Sequence, residues 1–133
     1  MGSAAKPVLV VEDDGLIRMD LVDVLSDAGY DVIEAANADQ ALIVLERETD
    51  ILALLTDIDM PGSMNGVRLA QLTAERWPDC RIVVISGRYS PEQGSLPEGA
   101  RFLSKPILDS VLHRTLTELD VRPPVAGFRS GHV

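Results

Sequence analysis

Short apolar runs alternate with longer amphipathic stretches along this chain, and the alternation predicts its fold. Continuous apolar runs are typical of strands in a parallel sheet, because such strands are covered by helices on both faces. We predict five strands, at residues 8–11, 31–35, 51–56, 81–86 and 101–104. The amphipathic stretches between these runs are predicted to be helices.

Capping residues mark where several of these helices begin and end. Asp14 and Asn37 are residue types that accept hydrogen bonds from the first turn of a helix. A third helix is predicted from Asn65 to just before Trp77-Pro78, because proline disfavours helical geometry in the preceding residue. The last helix is predicted at residues 107 to about 119. The residues expected to face the core from the helices are Ile17, Leu21, Val24, Ala28, Ala41, Leu42, Leu45, Val67, Leu69, Ala70, Thr73, Ile107, Val111, Thr115, Leu116 and Leu119.

Strands that alternate with helices indicate an α/β fold with right-handed crossovers. We predict a doubly wound, five-stranded parallel sheet of the flavodoxin-like type, with strand order 2-1-3-4-5 and about five helices. The fourth helix is expected to be eroded, because Pro91, Gly94 and Pro97 interrupt the connection between Gly87 and Gly99.

The length of 133 residues fits one domain and leaves little room for a second. We expect residues 7–120 to form this domain, after an N-terminal extension at residues 1–6. Residues 121–133, which contain Pro123-Pro124, are expected to be a flexible tail.

Charge and composition restrict the partners of the protein. A formal net charge of -9 argues against a broad nucleic-acid surface, which needs clustered Lys and Arg. The one cysteine, Cys80, excludes an internal disulfide and is compatible with a reducing compartment. No apolar run approaches the roughly 20 residues of a membrane span. We therefore expect a cytoplasmic protein that binds neither membranes nor nucleic acid.

Polar side chains follow four of the predicted strands. Glu12 and Asp13 follow the first strand, Asp57 and Asp59 the third, Ser86 the fourth and Lys105 the fifth. In a doubly wound sheet of the predicted order, the first and third strands are neighbours at the switch point, where ligands bind. Their carboxylates are therefore expected to share one pocket.

Crowded carboxylates repel one another unless protons or a cation neutralise them. Oxygen ligands with room for water suit Mg²⁺ better than zinc or copper. A pocket of this kind can neutralise an incoming phosphoryl group and leave a carboxylate free to attack it. Lys105 can pair with a phosphoryl oxygen and the Ser86 hydroxyl can donate to another. The pattern thus predicts a phosphoryl-transfer site.

Four motifs give the chain a family resemblance. They are Val10-Val11-Glu12-Asp13, Thr56-Asp57-Ile58-Asp59-Met60-Pro61, Val84-Ile85-Ser86-Gly87 and Phe102-Leu103-Ser104-Lys105-Pro106. With these motifs in this order, the sequence resembles the receiver domain of bacterial two-component response regulators, including stand-alone receivers similar to the chemotaxis regulator. The resemblance covers roughly residues 7–120 and implies a phosphoacceptor in a signalling or phosphorelay system.

The resemblance also implies residue roles. Asp57 would be the phosphoacceptor, which takes its phosphoryl group from a sensor histidine kinase or a histidine phosphotransfer protein. Mg²⁺ would be held by Asp13 and Asp57 directly, by Glu12 mainly through water, and by the backbone carbonyl of Asp59. The phosphoryl oxygens would be held by Ser86 and Lys105. Phe102 would be the switch aromatic that turns inward as Ser86 moves, and an unidentified downstream protein would read the change.

The chain departs from the family pattern in ways that leave other functions open. Its loop at residues 60–66 is about one residue longer than the commonest form. The connection between Gly87 and Gly99 is the second departure, since in the family a helix at this place normally helps to form the surface that partners read. We also predict that Arg88 modulates how water reaches the acyl phosphate, since it lies two residues beyond Ser86. Two alternatives are a small Mg²⁺-dependent aspartyl-phosphate phosphohydrolase, suggested by the spacing of Asp57 and Asp59, and an interaction module that does not use the site.

Overall fold

Five parallel strands form a single sheet in the computed structural model, which describes residues 6–48, 50–88 and 94–124. The order of the strands is β2-β1-β3-β4-β5, as the sequence predicts. The strands are β1 (Val8–Val11), β2 (Val32–Ala35), β3 (Ala53–Asp57), β4 (Arg81–Ser86) and β5 (Arg101–Ser104).

Four helices lie between and after the strands in the described residues: α1 (Gly15–Asp27), α2 (Ala38–Arg47), α3 (Gly66–Arg76) and α4 (Asp109–Glu118). Asp14 caps α1 by accepting from two backbone N–H groups, and Asn37 and Asn65 cap α2 and α3. These caps confirm the predicted helix starts. Helix α4 begins later than predicted, at Asp109, because Leu108 occupies the cap position with extended backbone geometry.

The helices cover both faces of the sheet. Val8 and Val10 of β1 pack on the face covered by α1 and α4, and Leu9 and Val11 pack on the opposite face. This separation follows from the alternation of side chains along a strand. The prediction that Ile17 faces the core is wrong, because Ile17 is 37% exposed. It lies in the first turn of α1, which borders a surface groove. The core contacts of α1 are made instead by residues one and two turns later, Leu21 and Leu25.

The end of the domain lies beyond its predicted position. Val121, predicted to begin the flexible tail, is 1% exposed and belongs to the core. Its carbonyl accepts a hydrogen bond of 2.9 Å from the Tyr30 hydroxyl, and its N–H donates to the Leu116 carbonyl. The predicted tail start is therefore wrong for this residue. Residues 125–133 of the tail, and residues 1–5 of the N-terminal extension, lie outside the described residues.

The connection between β4 and β5 is irregular where it is described. Residues 87, 88 and 94–100 contain no helix, in agreement with the predicted erosion, and residues 89–93 lie outside the described residues. Leu96 packs against a cluster that includes Val67 and Ala70, and the Gln71 side chain donates to the Ser95 carbonyl at 2.8 Å. The second half of this connection thus rests on α3. Within the described ranges, no helix is long and apolar enough to cross a membrane.

Candidate functional site

The sheet register brings the polar strand ends to one edge. In the parallel pairing of β1 with β3, Val11 lies opposite Thr56, so the next residues, Glu12 and Asp57, leave the sheet side by side. Asp57 is in turn the register partner of Ile85, which directly precedes Ser86. The sequence prediction that these residues share an edge is therefore confirmed by the geometry.

Three carboxylates converge at this edge. Glu12, Asp13 and Asp57 each offer an oxygen, and these oxygens lie within 4.8 Å of one another. Glu12 and Asp57 are buried, with 2% and 6% of each residue exposed, whereas Asp13 is exposed. The site therefore has two carboxylates below the surface and a third at its mouth.

Lys105 provides the positive charge of the site. Its Nζ lies 3.0 Å from Glu12 Oε1 and 3.3 Å from Asp57 Oδ1. The backbone N–H of Lys105 donates to the Ser86 carbonyl at 2.9 Å, which fixes the end of β5 against the end of β4. One ammonium group thus lies between the two buried carboxylates.

Burial and the neighbouring charges change how these groups ionise. Burial raises the pKa of Glu12, and the Asp57 charge raises it further, although Lys105 partly offsets both effects. Burial likewise raises the pKa of Asp57, again against the opposing influence of Lys105. Burial alone would lower the pKa of Lys105, but its hydrogen bond to Glu12 and the nearby Asp57 charge outweigh burial and raise it. The lysine is therefore charged, while both carboxyls hold protons more readily than they do in water.

The Ser86 hydroxyl is buried and engaged with the following loop. Its Oγ donates to the Arg88 carbonyl at 2.7 Å and accepts from the Arg88 N–H at 3.0 Å. These two bonds form a tight turn at the end of β4. Any group that attracts the hydroxyl toward Asp57 must therefore compete with the backbone of Arg88.

The remaining predicted residues lie outside the carboxylate cluster. Asp59 is exposed, two residues beyond Asp57, and its carboxylate is not one of the three that converge. Arg88 is exposed beyond the end of β4. Phe102 is 36% exposed on β5. The structure thus does not bring the side chains of Asp59, Arg88 and Phe102 into the cluster.

Two residues that sequence reasoning missed support the site. Arg18 of α1 donates from one guanidinium nitrogen to the Glu12 carbonyl at 2.7 Å. Gly66 begins α3 directly against β3, and a Cβ there would overlap the Asp57 carbonyl oxygen and lie 2.7 Å from its carbon. The place of Arg18 one helical turn after Asp14 is a signal for the first contact. No local signal separates Gly66 from an ordinary turn glycine.

The donor set of the cluster fits Mg²⁺. Carboxylate oxygens are hard ligands, and the exposed side of Asp13 leaves room for the water that Mg²⁺ retains. Burial is the main cause that raises the pKa of Glu12 and of Asp57, and a divalent cation would compensate these carboxylates for the solvent that they have lost. Glu12, Asp13 and Asp57 are therefore the side chains able to hold such an ion.

Comparison with known proteins decides the family. The family model of the response regulator receiver domain matches residues 8–117. The chain belongs to this family. Receiver domains are phosphoacceptors of two-component signalling, and this protein accordingly has a phosphoacceptor role.

Individual relatives agree with the family assignment. The response regulator receiver protein CpdR of Brucella abortus is 40% identical over 105 residues, which are 76% of this chain and 85% of CpdR. Sensor kinase CckA of the same organism is 35% identical over 124 residues, but this match spans only 13% of CckA. A CheY-like receiver domain protein from Methanospirillum hungatei JF-1 has a TM-score of 0.78 at 30% identity, covering 88% of this chain and 95% of that chain. The fold and the family of this receiver domain therefore agree.

Proposed function

We propose that Asp57 is the residue that accepts the phosphoryl group in this receiver domain. The main support is its position: a buried carboxylate at the end of β3, 3.3 Å from the Lys105 ammonium and within the cluster of three acids. Of these acids, only Asp57 combines burial with the place at the end of the strand next to β4. The Ile58 N–H donates to its Oδ1 at 2.9 Å and fixes the orientation of the carboxylate.

The proposed reaction is a transfer from phosphohistidine to carboxylate. An oxygen of Asp57 forms a bond to phosphorus while the bond between phosphorus and the donor's imidazole nitrogen breaks. The electron pair leaves with the imidazole, which takes up a proton from solvent. Lys105, held 3.0 Å from Glu12, is placed to balance the charge of a phosphoryl oxygen once Asp57 is esterified.

Mg²⁺ is the proposed cofactor, because the converging carboxylates would otherwise repel the incoming phosphoryl group. When bound, Mg²⁺ would supply neutralisation of charge on the phosphoryl oxygens. Asp13 and Asp57 are the proposed direct ligands, and Glu12 would act mainly through water. The backbone carbonyl of Asp59 would be a further protein ligand.

Ser86 and Phe102 are the proposed switch. Ser86 would exchange its two hydrogen bonds with Arg88 for one to a phosphoryl oxygen, and the end of β4 would shift with it. Phe102 is 36% exposed on β5, whose residues pair with β4, so the ring would turn inward after that shift. The Arg88 side chain is a proposed modulator of dephosphorylation. An unchanged rate of phosphate loss in Arg88→Ala would contradict this modulator role.

The proposed phosphoryl donor is a sensor histidine kinase or a histidine phosphotransfer protein. The output is a changed protein surface around residues 86–106 that an unidentified downstream protein reads. Binding of nucleic acid is not part of the proposal, since the net charge of -9 disfavours it. Location in the cytoplasm, without membrane association, stays a prediction that cell fractionation tests.

Phosphorylation followed by intact mass tests the proposal. Incubation of the protein with Mg²⁺ and acetyl phosphate is expected to add one phosphoryl mass, which chelation of Mg²⁺ abolishes. Asp57→Asn is expected to prevent the addition, whereas Asp59→Asn, which changes an exposed carboxylate outside the cluster, is expected to retain it. Modification that persists in Asp57→Asn would contradict the assignment.

The wild-type protein and the Asp57→Asn variant also distinguish a phosphoacceptor from a phosphohydrolase. A receiver that catalyses only its own phosphorylation and dephosphorylation takes up one equivalent and does not turn over an ordinary phosphomonoester. Steady release of phosphate from such an ester, lost in Asp57→Asn, would instead favour the hydrolase. No binding of Mg²⁺ in a calorimetric titration would favour an interaction module that does not use the site.

A further inference from the structure

The turn that carries Glu12 and Asp13 is held from both sides by hydrogen bonds to its backbone, one from the main chain and one from a side chain. On one side, the Glu12 N–H donates to the Ala35 carbonyl at the end of β2, at 3.1 Å. On the other side, the Glu12 carbonyl accepts from an Arg18 guanidinium nitrogen at 2.7 Å. That carbonyl belongs to the peptide unit that joins Glu12 to Asp13, so its orientation determines where the Asp13 side chain starts.

Asp13 depends on this backbone more than its neighbours do. Lys105 contacts both Glu12 and Asp57, which are also buried. Asp13 is exposed, and no hydrogen bond or ion pair to its carboxylate is found within the described ranges. The peptide unit that precedes Asp13 therefore fixes the point from which its side chain begins, and no other contact in the described ranges holds the carboxylate.

We propose that Arg18 is a positioning residue for Mg²⁺: by holding the Glu12 carbonyl, it directs the Asp13 carboxylate toward Glu12 and Asp57. The inference rests on the proposed function, in which these carboxylates hold Mg²⁺. Loss of a group that orients a metal ligand without contacting the metal itself typically changes metal affinity by about 10- to 100-fold.

The guanidinium suits this role because it makes two bonds in different directions. While one terminal nitrogen donates to the Glu12 carbonyl, Nε donates to Glu34 Oε1 on β2 at 3.0 Å. The planar group therefore spans the turn and the neighbouring strand, with 23% of its side chain exposed. A lysine in this place has a single ammonium and lacks the rigid fork. Arg18→Lys is expected to retain only part of the effect.

Charge and positioning predict opposite results when Arg18 is replaced. If Arg18 acted only as a positive charge near three acids, its removal would strengthen Mg²⁺ binding by reducing repulsion. If it positions Asp13, its removal weakens binding, because the ligand set is no longer oriented. The sign of the change in Mg²⁺ affinity therefore distinguishes the two roles.

Calorimetric titration of the full chain with Mg²⁺, at near-physiological salt, tests the proposal. We expect Arg18→Met to raise the Kd about tenfold, with Arg18→Lys between it and the wild type. Glu34→Gln, which removes the ion pair but not the bond to the Glu12 carbonyl, is expected to change the Kd less than about twofold. At saturating Mg²⁺, Arg18→Met is expected to recover most of the wild-type rate of phosphorylation by acetyl phosphate, as a role in metal binding requires.

Arg76→Met is the matched control, since Arg76 pairs with Glu46 at 3.0 Å on the surface, at the C-terminus of α3. It removes an equal charge and an ion pair, and its Kd is expected to stay within about twofold of the wild type. An unchanged or lower Kd in Arg18→Met would overturn the proposal, as would an equal increase in Glu34→Gln or in Arg76→Met. If the wild type binds no Mg²⁺, the metal site of the proposed function fails as well. Thermal unfolding in EDTA verifies that each variant is folded, and Arg18→Lys carries the test if Arg18→Met is not.

Discussion

Acidic residues gather at both ends of the sheet, but only one end becomes a site. At the carboxyl end, Glu12 and Asp57 are buried on either side of the Lys105 ammonium. At the amino end, a cavity of about 230 Å³ is bordered by three exposed acids, a lysine and the buried Cys80. The acids that border this cavity are Glu48, Asp50 and Asp79.

The difference shows that burial, rather than the number of acids, creates the chemistry. The acids at the amino end are solvated, and they do not form a converging cluster in the described part of the chain. At the carboxyl end, burial is the main cause that raises the pKa of both Glu12 and Asp57. A buried excess of negative charge is what attracts a divalent cation.

Gly66→Ala is expected to have the largest effect. The added Cβ would overlap the Asp57 carbonyl oxygen and lie 2.9 Å from the Ile58 Cα, so the start of α3 must move away from β3. We expect the free energy of unfolding to fall by about 3 kcal/mol or more, measured by urea denaturation. Gly87→Ala is the control, because among the described residues, apart from its two chain neighbours, no atom lies within 4 Å of a Cβ there, and it should change stability by less than about 1 kcal/mol. Equal effects of the two variants would contradict the close approach.

Lys105→Met is expected to destabilise the protein at neutral pH by about 2 kcal/mol, because two buried carboxylates lose their counter-charge. Both carboxyls have folded-state pKa values above the ordinary 4.5 of Glu and 3.8 of Asp. Above about pH 4, the folded state therefore binds more protons than the unfolded state does. The free energy of unfolding then falls as the pH rises from about 4 through the folded-state pKa values. The destabilisation caused by Lys105→Met should therefore be smaller at pH 5 than at pH 7, as urea titrations without Mg²⁺ can measure.

Lys6→Met is the matched control at the other end of the sheet. Lys6 is exposed and borders the amino-end cavity, so its loss should change stability by less than about 0.5 kcal/mol at either pH. A similar loss in the two lysine variants would mean that burial does not distinguish the ends.

Mg²⁺ is expected to stabilise the protein in a pH-dependent manner. At about ten times its Kd, Mg²⁺ should add about 1.4 kcal/mol, or a few degrees in Tm, near pH 7.5. Because the pKa values of Glu12 and Asp57 are raised, protons compete with the ion, and the shift should shrink at pH 5. Differential scanning fluorimetry against NaCl of equal ionic strength measures the shift. Persistence of the full shift in Asp13→Asn would contradict the ligand set.

Cys80 is expected to be unreactive in the folded protein. Burial raises the pKa of its thiol to about 12, so very little thiolate exists near neutral pH. In the folded protein, alkylation by iodoacetamide should be more than about a hundredfold slower than in urea, as mass spectrometry can follow. Fast labelling of the folded chain would show that the amino-end cavity holds a reactive group after all.

Local patterns predicted most of the elements, and the errors occur where local pattern does not decide burial. Asp14, Asn37 and Asn65 cap the helices as expected, since capping involves only neighbouring backbone groups. The Pro123-Pro124 pair close after Val121 predicts a tail, yet Val121 is held by Tyr30, 91 residues earlier. A contact between residues so far apart in the sequence cannot be predicted from the residues next to either one.

The sequence by itself determined the order of the elements and which polar groups follow the strands at the carboxyl edge of the sheet. Apolar periodicity decides which segments enter a parallel sheet, and parallel strands present their carboxyl ends on one edge. These two rules predict that Glu12, Asp13, Asp57, Ser86 and Lys105 lie at one edge of the sheet.

Only the tertiary structure decided how deeply each group is buried and what holds it. It placed Lys105 between Glu12 and Asp57, joined the Ser86 hydroxyl to the backbone of Arg88, and brought Arg18 to the Glu12 carbonyl. These contacts depend on distances between separate elements, which are set by packing. Because ionisation and cation binding both depend on such distances and on access to solvent, the electrostatics of the site belong to the fold and not to the motif.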